Sequence, residues 1–125
     1  MKTTNSLTIN TQTKDGIDIV SIDGFLDAHS APDLEKHIET LVNSNRIKII
    51  IDFSALEYIS SAGLGVFMSH IEEIRNKNGD IKMIKMTEKV YSVFDLLGFP
   101  MLFNIDKNEE DAIFQFNNNI IGGSD

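Results

Sequence analysis

Two adjacent serines, Ser60 and Ser61, stand where a hydrophobic segment gives way to a helical pattern that contains Gly63 and Gly65. Glycines in a first helical turn leave the backbone N–H groups open to approach, and a helix N-terminus attracts negative charge. A hydroxyl placed there lies in a positive field, which favours an oxyanion or a phosphate. The segment therefore predicts either a phosphoacceptor or a plain serine N-cap, with glycines that allow close packing of helix on sheet.

Other kinds of chemistry fit this segment less well. Gly63-Leu64-Gly65 is too short for a dinucleotide-binding fingerprint, and no P-loop pattern is present. His29 and Asp27 share a loop and invite a Ser-His-Asp hydrolase, but the Gly-x-Ser-x-Gly elbow is missing. We therefore expect no catalytic residue, no metal and no cofactor. The three histidines are interpreted as surface residues: His29, His37 and His70.

The composition excludes several classes of function. The chain has 125 residues, of which 42% are apolar, so we expect a single domain over 1–125 with ragged ends at about 1–5 and 121–125. Its net charge of −8 disfavours nucleic acid and anionic membranes as partners. The absence of cysteine excludes disulfides and thiolate sites. With a polar N-terminal segment and no apolar run long enough to span a bilayer, the chain is expected to be cytoplasmic.

The first half of the chain predicts strands, a helix and a buried strand. Alternating polarity predicts strands near 6–12 and 17–23, joined by a turn at Lys14-Asp15-Gly16. Ser30 can cap the helix that follows. The β-branched run over 47–53 predicts a central strand buried on both faces, which ends near Phe53 and is followed by a short connection. Asp52 is expected to cap that turn.

The second half continues the alternation of strand and helix. An apolar stripe predicts a second helix, and its members are Leu64, Phe67, Met68, Ile71 and Ile74. A fourth strand lies at 81–84, Thr87 and Asn108 can cap further helices, and 101–105 predicts a short fifth strand. The order β-β-α-β-α-β-α-β-α implies a mixed sheet in which strands three to five are parallel. The apolar residues around Phe99 are interpreted as core, although exposure of Phe99 or Met101 would indicate an additional contact site.

The segment from Leu56 to Val66, Leu-Glu-Tyr-Ile-Ser-Ser-Ala-Gly-Leu-Gly-Val, resembles the hallmark of the STAS domain in its anti-sigma factor antagonist branch. In that branch an aromatic and an apolar residue precede Asp-Ser-Ser/Thr-Gly-Leu-Gly. The block Gly24-Phe25-Leu26-Asp27 is similar to the Gly-Glu-Leu-Asp of the family. The resemblance implies an α/β STAS fold, a mixed sheet of four or five strands with about four helices, mostly on one side.

The resemblance also implies a phosphorylation-controlled interaction. The unmodified protein would bind an anti-sigma factor with serine kinase activity, which supplies ATP and Mg²⁺, and would release a sigma factor. Phosphorylation of Ser61 would end this binding, and a serine phosphatase would reverse it. Ser60 occupies the place of the family's Asp and is the alternative acceptor, while Asp27 lies beside the acceptor loop.

The residues expected to bind the partner are Asp27, Ser60, Ser61, Ala62, Gly63, Leu64, Gly65 and Phe67. Among them Gly63 and Phe67, together with Val66, are expected to form an exposed docking surface. The alternative is a STAS scaffold or ligand-sensing module without a phosphoryl switch, in a larger signalling or transporter assembly.

Overall fold

The computed structural model of the chain describes residues 6–118. This part contains five strands, four α-helices and one 3-10 turn at Phe99–Met101. In chain order the strands and helices are β1 (Leu7–Lys14), β2 (Ile17–Leu26), α1 (Ala31–Asn43), β3 (Lys48–Ile59), α2 (Ser61–Asn76), β4 (Asp80–Ile84), α3 (Glu88–Leu96), β5 (Ile105–Asp106) and α4 (Glu109–Asn117). The ragged ends expected at 1–5 and 121–125 lie outside the described residues.

The strands form one sheet in the order β1-β2-β3-β4-β5. β1 is antiparallel to β2, and all other neighbours are parallel, which confirms the predicted mixed sheet. The β1–β2 hairpin turns at Asp15 and Gly16, whose φ angles are 54° and 76°. Two consecutive positive φ angles produce a tight turn whose twist matches the strands, so the predicted turn is confirmed.

The helices are distributed unequally over the two faces of the sheet. α1, α2 and α3 cover one face with the main hydrophobic core, and α4 packs on the other face through Ala112 and Phe116. Along β3, Ile49 and Ile51 belong to the main core while Ile50 faces α4. Burial on both faces explains why the sequence of β3 is a continuous apolar run. The distribution of the helices confirms the prediction that they lie mostly on one side of the sheet.

The predicted helix caps are confirmed at two of three places. The Oγ1 atom of Thr87 accepts a hydrogen bond from the backbone N–H of Val90 at 3.2 Å, and the Oδ1 atom of Asn108 accepts one from Asp111 at 2.8 Å. The capping role expected of Ser30 is wrong. Its backbone is helical (φ −97°, ψ −16°), and its hydroxyl donates to the carbonyl oxygen of Phe25 at 2.7 Å instead.

Two predicted strand ends are also wrong. β3 does not end near Phe53 but continues to Ile59, because β2 extends to Leu26 and the two strands stay paired. The turn that Asp52 was expected to cap is therefore absent, and Asp52 instead accepts a hydrogen bond from the backbone N–H of Ser54 at 2.9 Å within β3. The strand predicted at 101–105 is mostly the 3-10 turn and a bend, and only Ile105–Asp106 pairs with β4.

Candidate functional site

The candidate site lies where β2 and β3 end together and α2 begins. Leu26 and Ile59 are paired in the sheet, so the residues that follow them, Asp27 and Ser60, leave it side by side. The backbone N–H of Ser60 donates to the carbonyl oxygen of Leu26 at 2.9 Å. The structure thus brings the Asp27 loop and the two serines together, as the sequence predicted.

Gly63 allows α2 to approach the end of β2 closely. A β-carbon built at Gly63 would lie 2.6 Å from Cγ of Leu26 and 2.9 Å from its carbonyl oxygen, which is too close for any other residue without a shift. Gly65, two residues further along α2, is exposed, and a β-carbon built there would lie more than 4 Å from every neighbouring atom considered. The two glycines therefore act differently: Gly63 lets α2 pack against Leu26, and Gly65 leaves part of the exposed surface of α2 without a side chain.

The two serines differ in exposure. Ser61 is the first residue of α2 and is exposed. Ser60 has an extended backbone at the N-cap, but its hydroxyl makes no capping hydrogen bond. Within the described residues, the Oγ atom of Ser60 is buried without a hydrogen-bond partner. Ser60 therefore holds the N-cap position but does not cap α2 with its side chain, and Ser61 is the hydroxyl of this pair that solvent can reach.

The Asp27 carboxylate closes its own loop. Its Oδ1 atom accepts hydrogen bonds from the backbone N–H groups of His29 at 3.0 Å and Ser30 at 3.1 Å. The bond from the Ser30 backbone holds the pKa of Asp27 below its ordinary value, with smaller contributions from His29 and the Ser30 hydroxyl. Asp27 thus contributes a fixed negative charge beside the start of α2.

The expectation of an exposed surface formed by Gly63, Val66 and Phe67 is wrong. These residues and Leu64 are buried, and the ring of Phe67 lies 5.9 Å from that of Phe53 in the core. They are buried because they form the apolar stripe with which α2 packs on the sheet. The exposed residues of this part of α2 are Ser61, Ala62, Gly65 and Met68, the last with 42% of its surface accessible.

An aromatic pair beside the site was not among the predicted residues. Phe25 and Tyr58 are neighbours in the β2–β3 pairing, and their ring centroids are 5.9 Å apart. Tyr58 is 43% exposed and stands two residues before Ser60. The signal was available in the sequence, because Phe25 and Tyr58 lie inside the two motif blocks, but only the β2–β3 register shows that they meet.

The histidines lie in three different settings. His29 is exposed, and a ring nitrogen of His37 shares a hydrogen bond with Thr11 at 2.6 Å. The surface interpretation of His70 is wrong: it is 8% exposed, with Nε2 3.7 Å from Oε2 of Glu35. Residues 6–118 hold no group of three or more His, Asp or Glu side chains arranged to bind a metal ion.

This sheet order and this pair of adjoining loops define a small α/β domain with an exposed hydroxyl at a helix start. The family model described as STAS domain matches residues 8–112, and the chain belongs to that family. The resemblance seen in the sequence is thereby confirmed. None of the helices within residues 6–118 has the length and apolar character that crossing a membrane requires.

Named proteins are similar to this chain in sequence or in fold. The anti-sigma-B factor antagonist of Listeria monocytogenes is 28% identical over 105 residues, covering 84% of this chain and 90% of the relative. The crystal structure of an anti-sigma factor antagonist from Mycobacterium paratuberculosis superposes with a TM-score of 0.84 at 24% identity, covering 94% of this chain and 99% of the other. The Bacillus cell fate determinant SpoIIAA, in its phosphorylated form, gives a TM-score of 0.68 at 21% identity, covering 87% and 99%.

Proposed function

We propose that this protein is an anti-sigma factor antagonist, controlled by phosphorylation of Ser61. The observation that carries the proposal is the exposed Ser61 hydroxyl at the start of α2, beside the Asp27 loop. The named relatives support the class of function. In this proposal the protein is a kinase substrate in the cytoplasm and not an enzyme.

Exposure favours Ser61 over Ser60 as the acceptor. A protein kinase must bring the γ-phosphate of ATP, with Mg²⁺, in line with the attacking hydroxyl. The Ser61 oxygen would attack the γ-phosphorus, its proton would pass to a base of the kinase, and ADP would leave. The Oγ atom of Ser60 is buried, so the structure around it would have to open before a kinase could reach it.

The phosphate would change the charge of the partner surface more than its shape. It adds about −1.5 to −2 charges at pH 7, on a chain of net charge −8 and beside the Asp27 carboxylate. The N-terminus of α2 stabilises such an anion by roughly 0.3–1 kcal/mol. An intruding charge in an interface costs about 2–5 kcal/mol of binding, so the loss of the partner dominates and the fold survives.

The proposed partner surface consists of what α2 and its neighbouring loops expose. Its members are Asp27, Tyr58, Ser61, Ala62, Gly65 and Met68. The small residues Ala62 and Gly65 let another protein approach the helix, and Tyr58 and Met68 provide apolar contact area. Gly63, Leu64 and Phe67 support this surface from below, since they hold α2 against the sheet. A serine phosphatase would restore the binding form.

Mass spectrometry of the protein purified from its own cells tests the proposal. We expect one phosphate, on Ser61. Ser61→Ala should abolish labelling by the cognate kinase, and the matched change Ser60→Ala should retain most of it. Labelling lost only in Ser60→Ala would reverse the assignment. If neither Ser60 nor Ser61 carries a phosphate under any growth condition, the scaffold alternative is favoured.

A further inference from the structure

A second concave site lies at the carboxyl ends of β4 and β5. It is a cleft of about 480 Å³, lined by Lys85, Met86, Glu88, Tyr91, Ile105, Asp106 and Lys107. This volume is within the range of small-molecule sites, and the carboxyl ends of parallel strands are where such sites occur in α/β proteins. The two walls are tied together, because the backbone N–H of Lys85 donates to the carbonyl oxygen of Asp106 at 3.0 Å.

The lining combines an apolar wall with cations at the mouth. Met86 and Ile105 are partly buried, and Tyr91 leaves 39% of its surface accessible. Lys85 and Lys107 are both exposed. Lys85 has a φ of 59°, a left-handed conformation that is rare outside glycine and concentrates at functional positions.

Of the two acidic groups of the cleft, Asp106 is compensated by its neighbours, whereas Glu88 forms no salt bridge within residues 6–118. Asp106 accepts a hydrogen bond from the Gln115 amide at 3.0 Å, and the Lys82 ammonium group beneath it offsets its charge. Burial raises the pKa of Asp106 above its ordinary value. Among the described residues, the salt-bridge partner of Lys85 is Asp52, with Nζ and Oδ2 3.9 Å apart. Within residues 6–118, Lys107 forms no salt bridge.

We propose that this cleft binds a small organic anion with a flat apolar body. The apolar body lies against Met86, Ile105 and Tyr91, and the anionic group faces Lys85 and Lys107. Glu88 remains at the rim as an exposed group on the first turn of α3. None of the lining residues belongs to the Ser60–Ser61 site, so the proposal is independent of phosphorylation.

Titration with a matched pair of probes tests the proposal. The probes are 2-naphthoate and 2-naphthylmethylammonium, which share one ring system and differ in charge. Followed by NMR on isotopically labelled protein, 2-naphthoate should bind saturably, one per chain, with shifts centred on Tyr91, Ile105 and Lys107. Lys85→Gln and Lys107→Gln should each weaken it about fivefold or more, as expected for one charged contact.

The control separates a local contact from general charge. Lys36→Gln removes the same charge from an exposed position on α1 and should leave the affinity unchanged. Circular dichroism checks that each variant is folded, and Ser61→Ala should bind the probe like the wild type. Equal binding of the cation, shifts centred elsewhere, or no saturable binding would each overturn the proposal.

Discussion

Gly63 at the start of α2 lies directly against Leu26 at the end of β2. The same Leu26 carbonyl oxygen that accepts the hydrogen bond of Ser60 would lie 2.9 Å from a β-carbon at Gly63. The Leu26 carbonyl group therefore fixes both Ser60, the last residue before α2, and the first turn of α2. Because Asp27 follows Leu26, this contact also sets the position of the Asp27 loop relative to Ser61.

Gly63→Ala should weaken this junction. The added methyl group must displace Leu26 or tilt α2, and overpacking of this kind typically costs about 1–3 kcal/mol in the free energy of unfolding. Gly65→Ala is the matched control, since its methyl group meets nothing and a helical alanine stabilises by up to about 1 kcal/mol. Urea unfolding of both variants measures the difference. Equal effects would show that the contact with Leu26 is not restrictive.

Ser60→Ala should leave stability unchanged or raise it. The Ser60 hydroxyl is buried without a partner among the described residues, and such a group costs about 1–3 kcal/mol relative to an exposed one. Removing it releases that cost but also removes some packing, so we expect a gain between zero and about 2 kcal/mol. Thermal and urea unfolding provide the measurement. A clear loss of stability would mean that the hydroxyl is hydrogen-bonded in solution.

Asp27 should make stability depend on acid pH. Its pKa is held below the ordinary value of 3.8, so the ionised form favours the folded state. This contribution is complete above the ordinary pKa and is lost as the pH falls through the lowered one. Asp27→Asn should therefore show a shallower loss of stability than the wild type as the pH falls from about 5 through the lowered pKa. Parallel curves for the two proteins would contradict the assigned hydrogen bonds.

The same variant tests the partner surface. Asp27→Asn keeps the size of the side chain and one acceptor oxygen, so at neutral pH it should remain folded. If the Asp27 charge helps to orient the kinase, labelling of Ser61 should slow while the melting temperature changes little. Unchanged labelling of Ser61 would show that the Asp27 charge does not orient the kinase and that Asp27 serves only to close its own loop.

Most of the local signals were interpreted correctly from the sequence, with the cap predicted at Ser30 as an exception. The turn at Asp15 and Gly16 needs two positive φ angles, and the caps Thr87 and Asn108 bind N–H groups three residues away. The extension of β3 to Ile59 depends instead on pairing with β2, which lies more than twenty residues earlier in the chain. No local pattern reports such a pairing, so the strand was predicted too short.

The sequence predicted that the two motif blocks meet, but it assigned some buried residues to the exposed surface. The motif blocks place Asp27 and Ser61 together, and the structure agrees because β2 and β3 end side by side. The resemblance assigns Phe67 to the partner surface, whereas the apolar stripe of α2 places it in the core. The structure follows the stripe for Phe67, which is fully buried. It contradicts the stripe at Met68, which was predicted as a member and is 42% exposed.

The most direct test of the central claim is an affinity titration against the cognate anti-sigma factor. Wild type and Ser61→Ala should bind with similar affinity, and Ser61→Asp should bind roughly thirtyfold more weakly or worse, which corresponds to a loss of about 2 kcal/mol or more. Asn117→Asp adds the same charge at an exposed position of α4, on the opposite face of the sheet, and should bind nearly as the wild type does. Equal affinities for all four folded proteins would contradict the switch.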